Sequence, residues 1–428
     1  MLGSTCLFSQ TITVDNTTNS PAQLVDLLLG NSCVEVSNIS VSSTQSVAYF
    51  NQNGSSFPIS EGVLIRSGNV LETQGLYSDS NLSSSAIGGG TDLFLQNLSN
   101  TSSGTSTSLT DLAYLQFDFI PVSNAFIFNF LFASNEYGEF QCLSNDIFAF
   151  ELTNLTTGVI TNLAEIPSTT NPVSVKYIKN ALYNNTCSST NPSLFGVYNV
   201  LNPATSTLNM RGHTVVLSAN SAVTPGTSYR LKLIMADYGD TEYDSAVFIA
   251  AGSFINEFDL GSNQIICSGD ELIIDTLLDN SYSFQWYLND YSNPISGEAN
   301  STYTATSSGV YLVRATKGGC VLEDQITISD LAVTTPTNLL TCNNGAASYN
   351  FNLTTNNEIA LGIDLATYDV FYYETPADIA ANNPIPNGNL TSYPSAGGQT
   401  IYIKIFNTVT GNFCDAEYSF NLIVTNAV

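Results

Sequence analysis

Residues 126–132 read FIFNFLF. Phe126, Phe128, Phe130 and Phe132 alternate with Ile127, Asn129 and Leu131, and a period of two gathers side chains on one face only in an extended strand. Leu115, Phe117 and Phe119 against Gln116 and Asp118 repeat the pattern upstream, and YRLKLIMA (229–236) and SAVFIAAGSF (245–254) repeat it downstream. Strands of this length with one aromatic face pack as sheet on sheet. The reading is all-β: a large, jelly-roll-like β-sandwich over residues 11–255, followed by smaller units.

The aromatic run leads into SNEYGEFQCLSNDIFAF (134–150), which sets acids beside the core in a chain where only 11% of residues are charged. With 36 Asp and Glu against 9 Lys and Arg, the net charge is −27, so phosphate backbones are repelled and nucleic acid is a poor partner. No stretch reaches the ~20 apolar residues of a membrane-spanning helix. Tyr, Phe, Val and Ile with abundant Asn, Ser and Thr favour strands and turns. SPAQLVDLLLG (20–30) is the exception: Ser20 can cap a helix, Pro21 suits its first turn and Gly30 stops it. The Ser-, Thr-, Asn- and Gly-rich stretch between 80 and 112 reads as a mobile surface loop. MLGSTCLFSQ (1–10) reads as the remnant of an export signal or an added start, with Cys6 outside the fold; GSTC lacks the apolar residue that a lipid anchor at Cys6 would want.

From about 256 the texture changes to short strands and close turns, which fit two small sandwiches, 256–330 and 331–428. In each, one cysteine precedes an early strand (IICSGDELIID, LLTCNNGAASYNFNL) and another, followed by an acid, precedes the last (GGCVLEDQITI, NFCDAEYSFNLIV), a weak internal repeat. Eight cysteines with a single histidine and no CxxC pair argue for disulfides in an oxidising compartment. The repeat pairs Cys267 with Cys320 and Cys342 with Cys414, leaving Cys142 with Cys187; Cys33 is then either buried or bonded to Cys6, and the buried state is the expectation. Trp286 in FQWYLND fits the core tryptophan of a sandwich, although Tyr311 does not lie two residues before a cysteine as in antibody domains.

FNFLFASNEYGEFQCLSNDIFAFEL (128–152), RGHTVVLSA (211–219) and LKLIMADYGDTEYDSAVFIAAGSF (231–254) closely resemble the signature segments of the choice-of-anchor L domain. The resemblance covers most of 11–254 and implies an exported surface protein of Bacteroidetes type. The two following units resemble the immunoglobulin-like modules of gliding-motility-associated, type IX secreted surface proteins. Such chains typically finish with a sorting domain, and none is visible before Val428. The implied location is extracellular, at the cell surface.

No catalytic motif stands out. The single histidine, His213, has no GxSxG partner, and no HExxH helix or phosphate loop occurs. The expected function is non-catalytic adhesion, toward an extracellular glycan, another surface ligand or further copies of the chain. The alternative is a secreted carbohydrate-binding or carbohydrate-active protein using acids such as Glu136 and Asp244. Two acidic loops leave sandwich strands, one with Glu136, Glu139, Asn145 and Asp146, the other with Asp237, Asp240, Glu242 and Asp244. Neither contains Lys or Arg, so if they meet a cation is needed. Calcium, which takes six to eight oxygens, fits best, with Glu136, Asp146, Asp237 and Asp244 as ligands and Asn145 and Asp240 as reserves. Two separate solvated turns are the plain alternative.

Overall fold

The computed structural model describes residues 10–30, 33–84, 91–254, 258–267 and 269–426. The chain falls into two compact units, the first ending at Phe258 and the second starting at Asp259.

In chain order the first unit, the head, contains β1 (Thr13–Asp15), α1 (Pro21–Leu29), β2 (Glu35–Val41), β3 (Val47–Asn51), β4 (Glu61–Arg66), α2 (Leu93–Ser103), β5 (Leu109–Ile120) and β6 (Ala125–Ser134). There follow β7 (Ile147–Asn154), β8 (Ile160–Asn162), β9 (Phe195–Tyr198), β10 (Gly212–Thr214), β11 (Leu217–Ala222), β12 (Tyr229–Tyr238) and β13 (Ser245–Ala250). One sheet runs β1-β3-β4-β13-β6-β10-β9, with β11 also paired to β6; the other runs β2-β5-β12-β7-β8. The aromatic stripe of β6 locks the two together. Phe128 and Phe130 meet Phe150 of β7 edge to face at 4.7 and 4.8 Å, and Phe132 stacks on Phe148 at 5.3 Å. Edge-to-face pairs place the positive ring edge on the negative ring face, which adds to the area they bury.

The opposite face of β6 is buried too, Leu131 and Ala133 joining a second apolar cluster with Phe50, Phe57, Phe248 and Met210. That is why its second half, FLFA, loses polar residues. Helix α1 forms as read: the Ser20 hydroxyl accepts from the Gln23 amide, and Leu24, Val25, Leu28 and Leu29 enter the core. The stretch expected to be a loop holds α2 instead. Asp92 caps it through the Leu95 amide (2.9 Å), Gly104 ends it at φ 76°, and Leu95 packs on Ile234 and Ala236 from the outer face of the second sheet. Cys142 and Cys187 are bonded as expected, with Cα atoms 5.6 Å apart. Cys33 is half-buried and disulfide-bonded, against the expectation of a buried unpaired residue, while Cys6 lies outside the described residues.

The second unit contains β14 (Gln264–Ile266), β15 (Leu272–Asp275), β16 (Ser283–Leu288), β17 (Thr302–Ala305), β18 (Gly309–Lys317) and β19 (Cys320–Asp330). It continues with β20 (Leu339–Cys342), β21 (Tyr349–Phe351), β22 (Tyr368–Tyr373), β23 (Tyr393–Ser395), β24 (Thr400–Asn407) and β25 (Asn412–Thr425). The first six form sheets β14-β19-β18-β16 and β15-β17; the last six form β20-β25-β24-β22 and β21-β23. The two halves thus have one topology, and in both the first strand lies parallel to the last. The weak sequence repeat is a repeat of fold. Trp286 is fully buried and donates its indole N–H to the Asn300 carbonyl at 2.9 Å. Tyr311 donates to the Ser307 carbonyl four residues upstream, closing a corner without the neighbouring cysteine of antibody domains.

The disulfides of this unit differ from expectation. Cys267 is bonded to Cys414 rather than Cys320, and Cys342, expected to hold Cys414, is an exposed free thiol. The repeat argument treated each module as closed on itself. Cys267 instead packs in the core of the second module among Tyr368, Ile405 and Phe420, and Asn407 donates to the Asp270 carboxylate at 3.2 Å. The bond therefore staples module to module and closes a sequence separation of 147 residues. Chain entropy for a loop of that size is worth about 5 kcal/mol as an upper figure. In the full chain, Cys414→Ser should lower the unfolding transition of the second unit and leave that of the head in place, whereas Cys342→Ser should change neither. A Cys342→Ser loss equal to that of Cys414→Ser would contradict the pairing; calorimetry reads both.

Candidate functional site

The exits of β6 and β12 lie at the same end of the sandwich, and the two acidic loops do meet. The Asp146 carboxylate accepts from the Tyr238 amide (3.1 Å) and from the Ser245 hydroxyl (2.7 Å), so it touches the neighbours of both Asp237 and Asp244. The Asp146 amide in turn donates to Glu136 at 3.2 Å. The meeting point is interior: Glu136 is 4% exposed, Asp146 1%, and Asp237 and Asp244 0%. Two independent solvated turns are thereby ruled out.

A fifth carboxylate joins them. Asp111 lies in β5 where the register against β12 slips between Met235 and Asp237, adopts φ 49°, and is 3% exposed. A bulge of this kind re-aims a side chain, and a left-handed non-glycine residue costs energy that its surroundings must supply. Sequence reading passed over Asp111, although it shares parity with Ala113, Leu115, Phe117 and Phe119 and so lies on the core-facing alternation.

Neither loop contains Lys or Arg, yet a cation reaches the cluster from another strand. Arg66, at the end of β4, is fully buried and donates to Asp244 from Nε at 2.9 Å; its other nitrogens bond Thr73 Oγ1 (3.1 Å) and the Asn81 carbonyl (2.9 Å). The Ser84 amide donates to the same carboxylate at 3.1 Å. Gly68 is needed here by close approach, since a Cβ would lie 1.8 Å from Asp244 Oδ2. Asp244 is therefore satisfied within the protein. So is Asn145, which donates to Ser102 Oγ (3.2 Å) and accepts from Ser174 (3.0 Å), tying the loop to the end of α2. Asp240 is exposed and stays outside the cluster, as does Glu139, paired with Arg211 at 3.4 Å.

What remains is acid without counter-charge. Burial, then the Asp146 charge, pushes Glu136 well above the usual carboxylate range, and burial with Asp146 and Asp244 does the same to Asp237. Burial raises Asp146 to about 7, and burial with the Asp244 charge raises Asp111 to about 6. Neither oxygen of Asp111 or Asp237 has a hydrogen-bond partner. As placed, no three Asp, Glu, His or Cys side chains among the described residues are spaced to hold a metal ion. His213 lies elsewhere, buried in β10 with its ring against Phe57 and Nδ1 2.8 Å from the Thr214 carbonyl; burial lowers its pKa, as for a neutral packed imidazole.

The Arg66–Asp244 pair gives a direct test of the electrostatics. Arg66→Met should cost about 3–5 kcal/mol, because it strands Asp244 among like charges, and Arg66→Met with Asp244→Asn should recover most of that loss. Urea unfolding of the full chain measures both. Additive losses would mean that the pair does not carry the interaction.

A family model described as the choice-of-anchor L domain matches residues 13–255, and one described as the Flavobacterium inter-domain disulphide bond domain matches 338–428. The second description agrees with the observed module-to-module bond. No curated protein matches the chain. Among solved structures, immunoglobulin domains 1–4 of Sidekick-1 match at 14% identity over 39% of this chain and 46% of that one, with a TM-score of 0.19. The titin I-band fragment I67–I69 matches at 11% identity over 48% of this chain and 81% of that one, with a TM-score of 0.17. The chain thus spans less than half the length of the Sidekick-1 structure. The two family matches fit a surface protein of Bacteroidetes type. Over its larger unit, the chain belongs to the choice-of-anchor L family.

Proposed function

We propose that this chain is an exported, non-catalytic adhesion protein of the bacterial cell surface, with a calcium-stabilised head carried on a stalk of disulfide-stapled immunoglobulin-like modules. The observation that carries the reading is the bond between Cys267 and Cys414 beside a family-matched head. A staple joining successive modules suits a spacer that bears load, and disulfides persist outside the reducing cytosol. Export by the type IX route of gliding bacteria is part of the proposal. The net charge of −27 supports a partner that is neutral or cationic, such as a glycan, or another copy bridged by cations.

The carbohydrate reading has one observation in its favour. A cavity of about 240 Å³ opens beside β2, lined by Asn38, Asp118, Leu155 and Ser228, a mixture of acceptors, donors and apolar surface that suits sugar hydroxyls and ring faces. Glu136 and Asp244 do not serve this reading, because substrate cannot reach acids so fully buried. Protease shaving of intact cells should release the head, and cells lacking the protein should bind their substratum less. A head found only in the cytosol would overturn the surface role. A glycan array with the full chain, followed by a reducing-sugar assay, should show binding at most; turnover would establish the carbohydrate-active alternative.

A further inference from the structure

We propose that Asp111, Glu136, Asp146 and Asp237 bind a single calcium ion where β5, the β6–β7 loop and the end of β12 converge. The inference deepens the calcium reading of the head and does not depend on the adhesion role. Five buried carboxylates share one guanidinium, and Arg66 is spent on Asp244, Thr73 and Asn81. The other four have no positive partner, and uncompensated ionised groups are not retained in a protein interior.

The pointer to a ligand, beyond the acidity itself, is Asp237. Its side chain is wholly buried, the charges of Asp146, Asp244 and Asp111 bear on it, and neither oxygen has a hydrogen-bond partner. The approaching Ser67 hydroxyl spends its proton on the Ser245 carbonyl at 3.3 Å. Asp111 repeats the situation from the opposite strand, on backbone held at φ 49°. A proton shared between Glu136 and Asp146 would settle that pair but would not give the oxygens of Asp111 and Asp237 a partner, and water would leave the charge. A cation answers both needs.

The donors are all oxygen, which excludes the nitrogen and sulfur preferences of zinc and copper. Magnesium demands a near-ideal octahedron and keeps several waters, whereas calcium accepts carboxylates arriving from three elements in loose geometry. No cage is preformed. Asp146 is fixed by Tyr238 and Ser245, whereas no hydrogen bond has to break for Asp111 or Asp237 to reorient toward the ion.

The test is calorimetry of the full chain, stripped with chelator and titrated with calcium chloride, with magnesium chloride as control. Calcium at a hundredfold excess over its dissociation constant should raise the head transition by about 5–10 °C, and magnesium should raise it much less. Asp237→Asn should melt higher than the native chain in chelator, because repulsion is relieved, yet gain nothing from calcium. Asp111→Asn should behave alike and decides the matter if Asp237→Asn fails to fold. Glu139→Gln, on an exposed acid, should keep the full shift. The proposal is overturned by absence of calcium heat and shift in the native chain, by an undiminished shift in Asp237→Asn and Asp111→Asn, or by variants that melt lower in both media. Failure of the adhesion role would show only in the cell assays.

Discussion

The head depends on the interlocking of Phe126, Phe128, Phe130 and Phe132 with Phe148 and Phe150 across two sheets. Because Phe126, Phe128, Phe130 and Phe132 all face the core between the sheets, the register of β6 cannot slip by one residue without turning the half-buried Asn129 into that core and the phenylalanines away from it. Fixing β6 fixes where its chain leaves the sheet. β12, paired on both sides by β5 and β7, leaves at the same end. The acids meet because the aromatic core places the strand ends, and the loops have little freedom of their own.

That placement is costly for stability, and the fold meets the cost piecemeal. Asp244 is answered by Arg66, a residue 178 positions away that only the β4–β13 pairing brings close. Asp146 is answered by an amide and a hydroxyl, Asn145 by Ser102 and Ser174. Asp111 and Asp237 are left over. A protein at net charge −27 that buries further acid with so few bases gains nothing in stability from those two unless something else enters. The second unit solves a different problem by covalent means: small sandwiches with limited cores are joined by a bond that spans two modules.

Much of this was legible in the sequence. Period-two aromatics announced the sandwich, Ser20 and Gly30 marked α1, and the spacing of acids and cysteines exposed both the loop pair and the module repeat. What was not legible depends on sheet order. Nothing local says that β4 lies beside β13, so Arg66 could not be assigned to Asp244. The repeat of cysteines is real in topology, yet it is silent on whether a bond closes within a module or across the junction. Helix α2 was hidden because Ser, Thr and Asn fill its second half, even at the buried positions Ser99 and Ser102, and its stability comes from the Asp92 cap and from Leu95 resting on Ile234 and Ala236. Asp111 was in view but its bulge was not.

The central claim is that buried carboxylates weld the β6–β7 and β12–β13 loops into the cooperative core of the head. Native-state hydrogen exchange in calcium tests it most directly, through the amides of Asp146 and Tyr238, which donate to Glu136 and Asp146. The account predicts that both exchange only when the whole head unfolds, at the same free energy as the amides of β6. Exchange of these two through a local opening, orders of magnitude faster than that of the Phe130 amide, would contradict it.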